Sequence, residues 1–166
     1  MTAGSVESGA TLQYTTNGGT TWTNAPGNNN PIQLTGLTNG TTYNYAVRAV
    51  DAAGNASASS NTVSWTVDTV APGAPSVART SPTDSPTNST TQAISVTPAE
   101  AGGTLTCTLD SVNYTPCNSG TINLSSLSSA PHTFTVTQTD SAGNTGGAGT
   151  VSWTVDTAAP ATPTLT

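Results

Sequence analysis

Lysine is missing from this chain, and Arg48 and Arg79 are its only cations against eight acidic residues, giving a formal net charge of −6. Only 6% of the 166 residues are charged, against roughly a quarter in ordinary soluble domains. So little positive charge excludes a nucleic-acid binder, which must neutralise phosphates, and a basic membrane-surface anchor. The absence of lysine also excludes intramolecular isopeptide staples. No apolar run approaches the ~20 residues of a membrane span, so no membrane insertion is expected. The residues after Met1, TAGSVESGAT, have neither the basic nor the apolar region of a signal peptide. Histidine occurs once, at His132. It starts the predicted strand that Asp140 ends, some ~26 Å away at ~3.3 Å per residue, too far for a dyad. There is no glycine-rich phosphate loop after a strand and no pair of facing carboxylates. The chain reads as a non-enzyme with no required cofactor.

Threonine and serine make up about a third of the residues. Short runs alternate apolar and polar residues as half-buried strands do, and no stretch carries helical periodicity. Turn signals such as Asn17-Gly18 and Ala53-Gly54-Asn55 separate the runs. The pattern predicts strands at 11–15, 20–24, 32–35, 41–50 and 62–67. A second series follows at 76–78, 91–97, 104–109, 113–117, 122–124, 132–139 and 151–155. The chain is all-β, kept soluble by hydroxyl and amide groups rather than by charge.

The chain also repeats itself. VSWTVDT occurs at Val63–Thr69 and at Val151–Thr157, each copy preceded by Asp-x-Ala-Gly-Asn (Asp51–Asn55, Asp140–Asn144) and followed by Ala-Pro. Ile32-x-Leu34-x-x-Leu37 matches Ile122-x-Leu124-x-x-Leu127. The spacing suits one complete sandwich per repeat. The expected architecture is tandem immunoglobulin-like Greek-key β-sandwiches: residues 1–69 lacking their first strands, 70–157 complete, and 158–166 a linker with the first strand of a following domain. The lead-in Pro75–Pro98 has no counterpart in the first repeat, while PATPTLT at 160–166 resembles PGAPSVA at 72–78. An excerpt from a longer repeat protein is the plainer reading. The alternative is that Pro163, Thr164 and Leu165 form a donor strand completing the open first domain of another copy. Strand alternation turns Val63, Trp65 and Val67 inward, with Val151, Trp153 and Val155, and sets Tyr45 and Val47 beside Phe134 and Val136 as core.

The segment from Leu37 through Tyr43, Tyr45, Val47 and Ala49 to Asp51-Ala-Ala-Gly54-Asn55 resembles the end of a fibronectin type III domain. The resemblance implies that Tyr43 is the corner tyrosine whose hydroxyl ties the loop before its strand. The second repeat has His132 there. CTLDSVNYTPC, HTFTV, DSAGN and SWTVDT resemble the immunoglobulin-like repeats of large bacterial cell-surface adhesins. That resemblance implies fold and an extracellular setting rather than a particular ligand.

Cys107 and Cys117 are the only cysteines. They flank a predicted hairpin at Asp110-Ser111, so a disulfide is expected rather than a zinc site, which wants four ligands. A disulfide points to an oxidising, extracellular or cell-surface location. The recurring Asp51, Asn55, Asp68, Asp140, Asn144 and Asp156 are the candidate calcium ligands at a domain junction. Turn chemistry without an ion is the stronger explanation, since calcium wants six or more oxygens. Threonine ladders at 104–108 and 133–139 face outward. The function expected is a structural spacer of an extracellular stalk, adhesin or filament, its partners neighbouring copies of the same repeat arranged head-to-tail. The alternative is an adhesive module gripping glycan or protein through loops 25–31 or 83–91, with Trp22 and Tyr14 the local aromatic hint.

Overall fold

A computed structural model describes residues 7–28 and 31–165. The chain divides into two compact units, Met1–Thr69 and Val70–Thr166. Every long element is a strand, and no helix among the described residues is long and apolar enough to cross a membrane.

Unit 1 holds β1 (Thr11–Thr15), β2 (Thr23–Asn24), a single 3-10 turn at Pro26–Asn28, β3 (Thr42–Val50) and β4 (Val63–Thr66). These strands form one antiparallel sheet in the order β2-β1-β3-β4. Its small core gathers Leu12, Ala25 and Ile32, with Tyr14, Leu34 and Val47 packed against them.

Unit 2 holds β5 (Ser76–Ser81), β6 (Gln92–Thr97), β7 (Thr104–Leu109), β8 (Val112–Tyr114), β9 (Gly120–Leu124), β10 (Pro131–Thr139) and β11 (Gly149–Thr154). They form two antiparallel sheets, β11-β10-β7-β8 and β5-β6-β9. Both sheets feed one core: Ile94, Val96, Ile122 and Leu124 from the second meet Cys107, Phe134, Val136 and Trp153 from the first. Strand alternation explains the assignment, because β10 buries His132, Phe134, Val136 and Gln138 and turns the intervening threonines outward. The buried amides are satisfied. Gln138 Oε1 accepts from the Ala99 N–H at 2.8 Å and its Nε2 donates to the Glu100 carbonyl at 2.7 Å. Gln92 Nε2 donates to the carbonyls of Ser81, Pro82 and Ala93.

Close packing also fixes two glycines. A Cβ at Gly146 would lie 2.2 Å from the Pro72 oxygen, and one at Gly149 only 2.0 Å from the Pro75 oxygen. The lead-in to β5 and its first residues therefore lie directly against the segment entering β11.

Several expectations are corrected. Trp65 and Val63 are not buried: they are 64% and 57% exposed, whereas Trp153 is 3% exposed. Val67 and Tyr43 are only half-buried. The alternation itself was read correctly, since Trp65, Val63 and Tyr45 line one cleft on the same face. No second sheet among the described residues of unit 1 covers that face. For the same reason 32–35 forms no strand. Its counterpart β9 exists by pairing with β6, with Ile94 opposite Ile122, and unit 1 shows no strand in the place of β6 among its described residues. The remaining strand ends shift by up to three residues: β2 is confined to Thr23–Asn24, β8 to Val112–Tyr114, and β5 extends over Ser76–Ser81.

Candidate functional site

Four constellations carry the polar and aromatic groups singled out by the sequence. The first is the Asp-x-Ala-Gly-Asn loop, which occurs in both units with nearly the same geometry. Asp51 Oδ1 accepts from the N–H groups of Ala53 and Asn55 at 2.9 and 2.8 Å, and its Oδ2 accepts from Asn55 Nδ2 at 2.8 Å. Asp140 repeats this with Ala142, Asn144 and Asn144 Nδ2 at 2.8, 2.9 and 2.8 Å. Gly54 and Gly143 supply the positive φ, 94° and 95°, that the turn requires. The amide of Asn55 holds the Asp51 carboxyl below its usual range, followed by backbone donors. Asn144 does the same for Asp140.

These are Asx turns whose carboxylates are engaged by N–H donors. No group of three or more His, Cys, Asp or Glu among the described residues could hold a metal. The structure thus brings Asp51 to Asn55 and Asp140 to Asn144. Asp156 Oδ1 caps its own turn by accepting from the Ala158 N–H at 2.9 Å, and Asp68 lies exposed after β4.

The second constellation is the corner. In unit 1 the Tyr43 hydroxyl accepts from the Thr38 N–H at 3.0 Å, the tie that the fibronectin-like segment implied. That bond also lowers the Tyr43 pKa. In unit 2 the corner survives with reversed polarity. His132 Nε2 lies 3.0 Å from the Ser128 carbonyl, and its Nδ1 lies 2.7 Å from Asp110 Oδ2. Both neighbours are acceptors, so the ring satisfies both only as an imidazolium donating from each nitrogen. Asp110 Oδ1 also accepts from the Thr133 N–H at 2.8 Å.

His132 is 5% exposed and packs on Trp153, ring centroids 5.6 Å apart. Burial alone lowers its pKa, but Asp110 and the Ser128 carbonyl outweigh burial and raise it. Burial likewise raises that of Asp110, and the bonds from His132 and Thr133 bring the net shift downward. Sequence reading weighed only Asp140 as a partner of His132, excluded it as too distant, and missed Asp110. The signal available was the hairpin: Asp110 and Ser111 both have positive φ, 52° and 68°, in the two-residue turn between β7 and β8. That turn sets Asp110 beside the start of β10, where its N–H donates to the Thr133 carbonyl.

The third is the disulfide. Cys107 and Cys117 are bonded, with Cα atoms 5.5 Å apart, and both join the core around Phe134. The loop that they close carries Tyr114, whose ring meets Phe134 edge-on at 5.7 Å.

The fourth is the open apolar cleft of unit 1, about 560 Å³, lined by Ile32, Gln33, Leu34, Leu37, Tyr45, Val63 and Trp65. No lining residue is charged. Tyr45 is 4% exposed, and its buried hydroxyl has no hydrogen-bond partner. Burial raises the Tyr45 pKa, with a smaller contribution from Tyr43.

The remaining candidates are absorbed internally. Arg48 Nε donates to Gln13 Oε1 at 2.8 Å, and its guanidinium covers the Trp22 ring at 4.4 Å. Arg79 donates to Gln92 Oε1 at 3.0 Å, to the Pro82 carbonyl at 2.9 Å and to the Asp84 carbonyl. Loop 83–91 is stitched to unit 2 through the Thr87 N–H to the Thr154 carbonyl and the Asp156 N–H to the Thr87 carbonyl. In loop 25–31, residues 29–30 lie outside the described residues. The threonine ladder bonds across strands, Thr133 to Ser152 and Thr135 to Thr150. Pro163, Thr164 and Leu165 are exposed and irregular, Leu165 completely so.

No protein-family model and no curated protein matches the chain. Solved structures do match. The fibronectin(III)-like modules of Clostridium thermocellum CbhA superpose with a TM-score of 0.59 at 14% identity, over 93% of this chain and 82% of that one. Murine CEACAM1b superposes with a TM-score of 0.50 at 10% identity, over 89% and 85%. At such identities the likeness concerns the fold. The chain has an all-β, immunoglobulin/fibronectin III-like sandwich fold, and with its disulfide this fits a secreted or surface protein.

Proposed function

We propose that the chain is a structural spacer: tandem immunoglobulin-like repeats of an extracellular stalk, adhesin or filament, holding a functional tip away from a cell. In this reading it is not an enzyme, requires no cofactor, and meets neighbouring copies of the same repeat head-to-tail. The observation that carries the reading is the fate of its polar groups. Asp51, Asp140, Asp110, His132, Arg48 and Arg79 each bond within their own loop, corner or strand pair. Among the described residues these polar groups are engaged with one another rather than directed into the cleft lined by Ile32, Leu34, Tyr45, Val63 and Trp65. The Asx turns and the corners join strand to loop, and the disulfide closes a hairpin, which are the ties that a load-bearing module needs.

The test is mechanical. Pulled from its ends, unit 2 is expected to unfold in one event while the disulfide shields its loop. Cys107 and Cys117 are separated by 10 residues in sequence and 5.5 Å in space. At ~3.3–3.6 Å per residue, reductant therefore lengthens the released chain by about 3 nm. Unfolding at negligible force, or specific binding on a glycan array that loop substitutions abolish, overturns the spacer reading.

A further inference from the structure

The two ends of the unit 2 disulfide stand in different surroundings. Cys107 is 1% exposed and shares the core with Phe134 and Val136. Cys117 is half-buried and lines an open groove of about 400 Å³ together with Glu100, Gly103, Leu105 and Asn118. One wall of that groove, 98–103, is held from beneath by Gln138, which is 0% exposed. Gln138 Oε1 accepts from the Ala99 and Glu100 N–H groups at 2.8 and 3.3 Å, and its Nε2 donates to the Glu100 carbonyl at 2.7 Å. Gly103 packs against the same amide so closely that a Cβ would lie 2.5 Å from Nε2. The groove is therefore part of the folded unit, and a small molecule reaches Cys117 in it without any strand pair parting.

We propose that Cys117 is a thiol-exchange site, at which a small uncharged thiol is captured as a mixed disulfide while Cys107 departs as the leaving group. The attacking thiolate places its electron pair on Cys117 Sγ. The bond between the two cysteines breaks, and its pair goes to Cys107 Sγ, which then takes a proton from water. A second thiolate attacking the captured sulfur releases Cys117 and leaves the external thiol oxidised to its own disulfide, two electrons in all. Attack in the other sense is closed, because access decides which sulfur is reached and Cys107 has almost none.

The same surroundings set the rate and the choice of thiol. Cys107 leaves as a thiolate into an apolar core, which disfavours the charge and slows the step. The cations of unit 2 are engaged elsewhere: Arg79 donates to Gln92 and to the Pro82 carbonyl, and His132 lies between Asp110 and the Ser128 carbonyl. The pairing of β7 with β8 sets Cys107 opposite Tyr114, and the two cysteine Cα atoms are 5.5 Å apart. Cys107 thus remains close enough to attack back and expel the captured thiol. Glu100 on the groove, in a chain of net charge −6, repels an anionic thiol such as glutathione and admits a neutral one such as 2-mercaptoethanol.

The experiment exposes the native full chain to 2-mercaptoethanol, quenches with acid at intervals, alkylates free thiols and maps the adducts by peptide mass. The expected intermediate carries 2-mercaptoethanol on Cys117 and the alkyl group on Cys107, in at least about tenfold excess over the reverse. Its rate of formation should rise in proportion to thiol concentration. With glutathione the rate per thiolate should be lower at low salt and should climb as salt is raised from about 0.01 to 1 M, while that for 2-mercaptoethanol stays level. Glu100→Gln should raise the glutathione rate about twofold or more and leave the neutral thiol unaffected. The bonds from Glu100 to Gln138 are made by its backbone, so this variant keeps the groove, and retained NMR dispersion verifies it. The proposal is overturned by adducts on Cys107 or on both cysteines alike. It is also overturned by a reduction rate that is independent of thiol concentration and equal to core amide exchange, which makes global unfolding the route. Glutathione reacting as fast as 2-mercaptoethanol at low salt, with Glu100→Gln without effect, overturns the selection for an uncharged thiol.

Discussion

Replacing His132 by phenylalanine tests whether the second corner is held by a proton. Phenylalanine keeps the ring against Trp153, 5.6 Å away in the native contact, but removes the bonds to Asp110 and to the Ser128 carbonyl. A hydrogen bond to a charged group contributes roughly 1.5–3 kcal/mol. The Asp110 side chain is 43% exposed, so solvent screens that pair toward the lower end. The expected loss at pH 6 is about 2 kcal/mol, or a fall in Tm of roughly 8–16 °C for a domain of this size.

The pH dependence carries the sharper information. The His132 pKa is raised on folding, so its contribution is complete below the unfolded value of ~6.5 and is lost as pH rises through the folded value. The Asp110 pKa is lowered, so its contribution is present above ~4 and is lost as pH falls through the folded value. Unit 2 is therefore most stable between roughly pH 4 and 6.5 and weakens toward pH 8.5. His132→Phe should flatten the alkaline side, so that the two proteins converge as pH rises. Urea denaturation followed by Trp153 emission, in a chain carrying phenylalanine at positions 22 and 65, reads unit 2 alone. Native stability that is flat from pH 5 to 8.5, or a His132→Phe variant with the same slope, refutes the imidazolium corner.

Other outcomes follow from the same geometry. Alanine at both Cys107 and Cys117 should cost unit 2 about 2–3 kcal/mol, measured by chemical denaturation, since the bond closes a loop of 10 residues. Gly149→Ala drives a Cβ into the Pro75 oxygen at 2.0 Å; a loss of at least ~2 kcal/mol is expected, and calorimetry would detect it. Trp153→Ala should cost about 3–5 kcal/mol as a large core truncation, while Trp65→Ala, removing a ring that is 64% exposed, should cost within ~1 kcal/mol. Chelator should leave the thermal midpoint unchanged, because the Asp51 and Asp140 turns are closed by N–H donors rather than by an ion.

Local pattern carried most of the architecture. β1 and β7 lie where alternation sets them, at Thr11–Thr15 and Thr104–Leu109. The Asp-x-Ala-Gly-Asn turns and the cysteine pair were likewise legible, because each is closed by residues near one another in the chain. What escaped was non-local. The partner of His132 is Asp110, on a different hairpin, and no spacing rule on a single strand finds it. Arg48 and Arg79 are the only cations in the sequence, which does not show that each is tied to a glutamine on the neighbouring strand, Gln13 and Gln92. Cross-strand register decides that, and register follows from pairing.

Trp65 and Trp153 bring out the limit of pattern reading. The two stand in identical seven-residue words, pair with matching strands, opposite Tyr43 and His132, and turn to the same side of their sheets. One is 64% exposed and the other 3%. A strand's alternation fixes which side of the sheet a residue faces, but whether that side is dry depends on a second layer whose residues lie elsewhere in the sequence. In unit 2 that layer is β5, β6 and β9, whereas no second sheet among the described residues of unit 1 stands over Trp65.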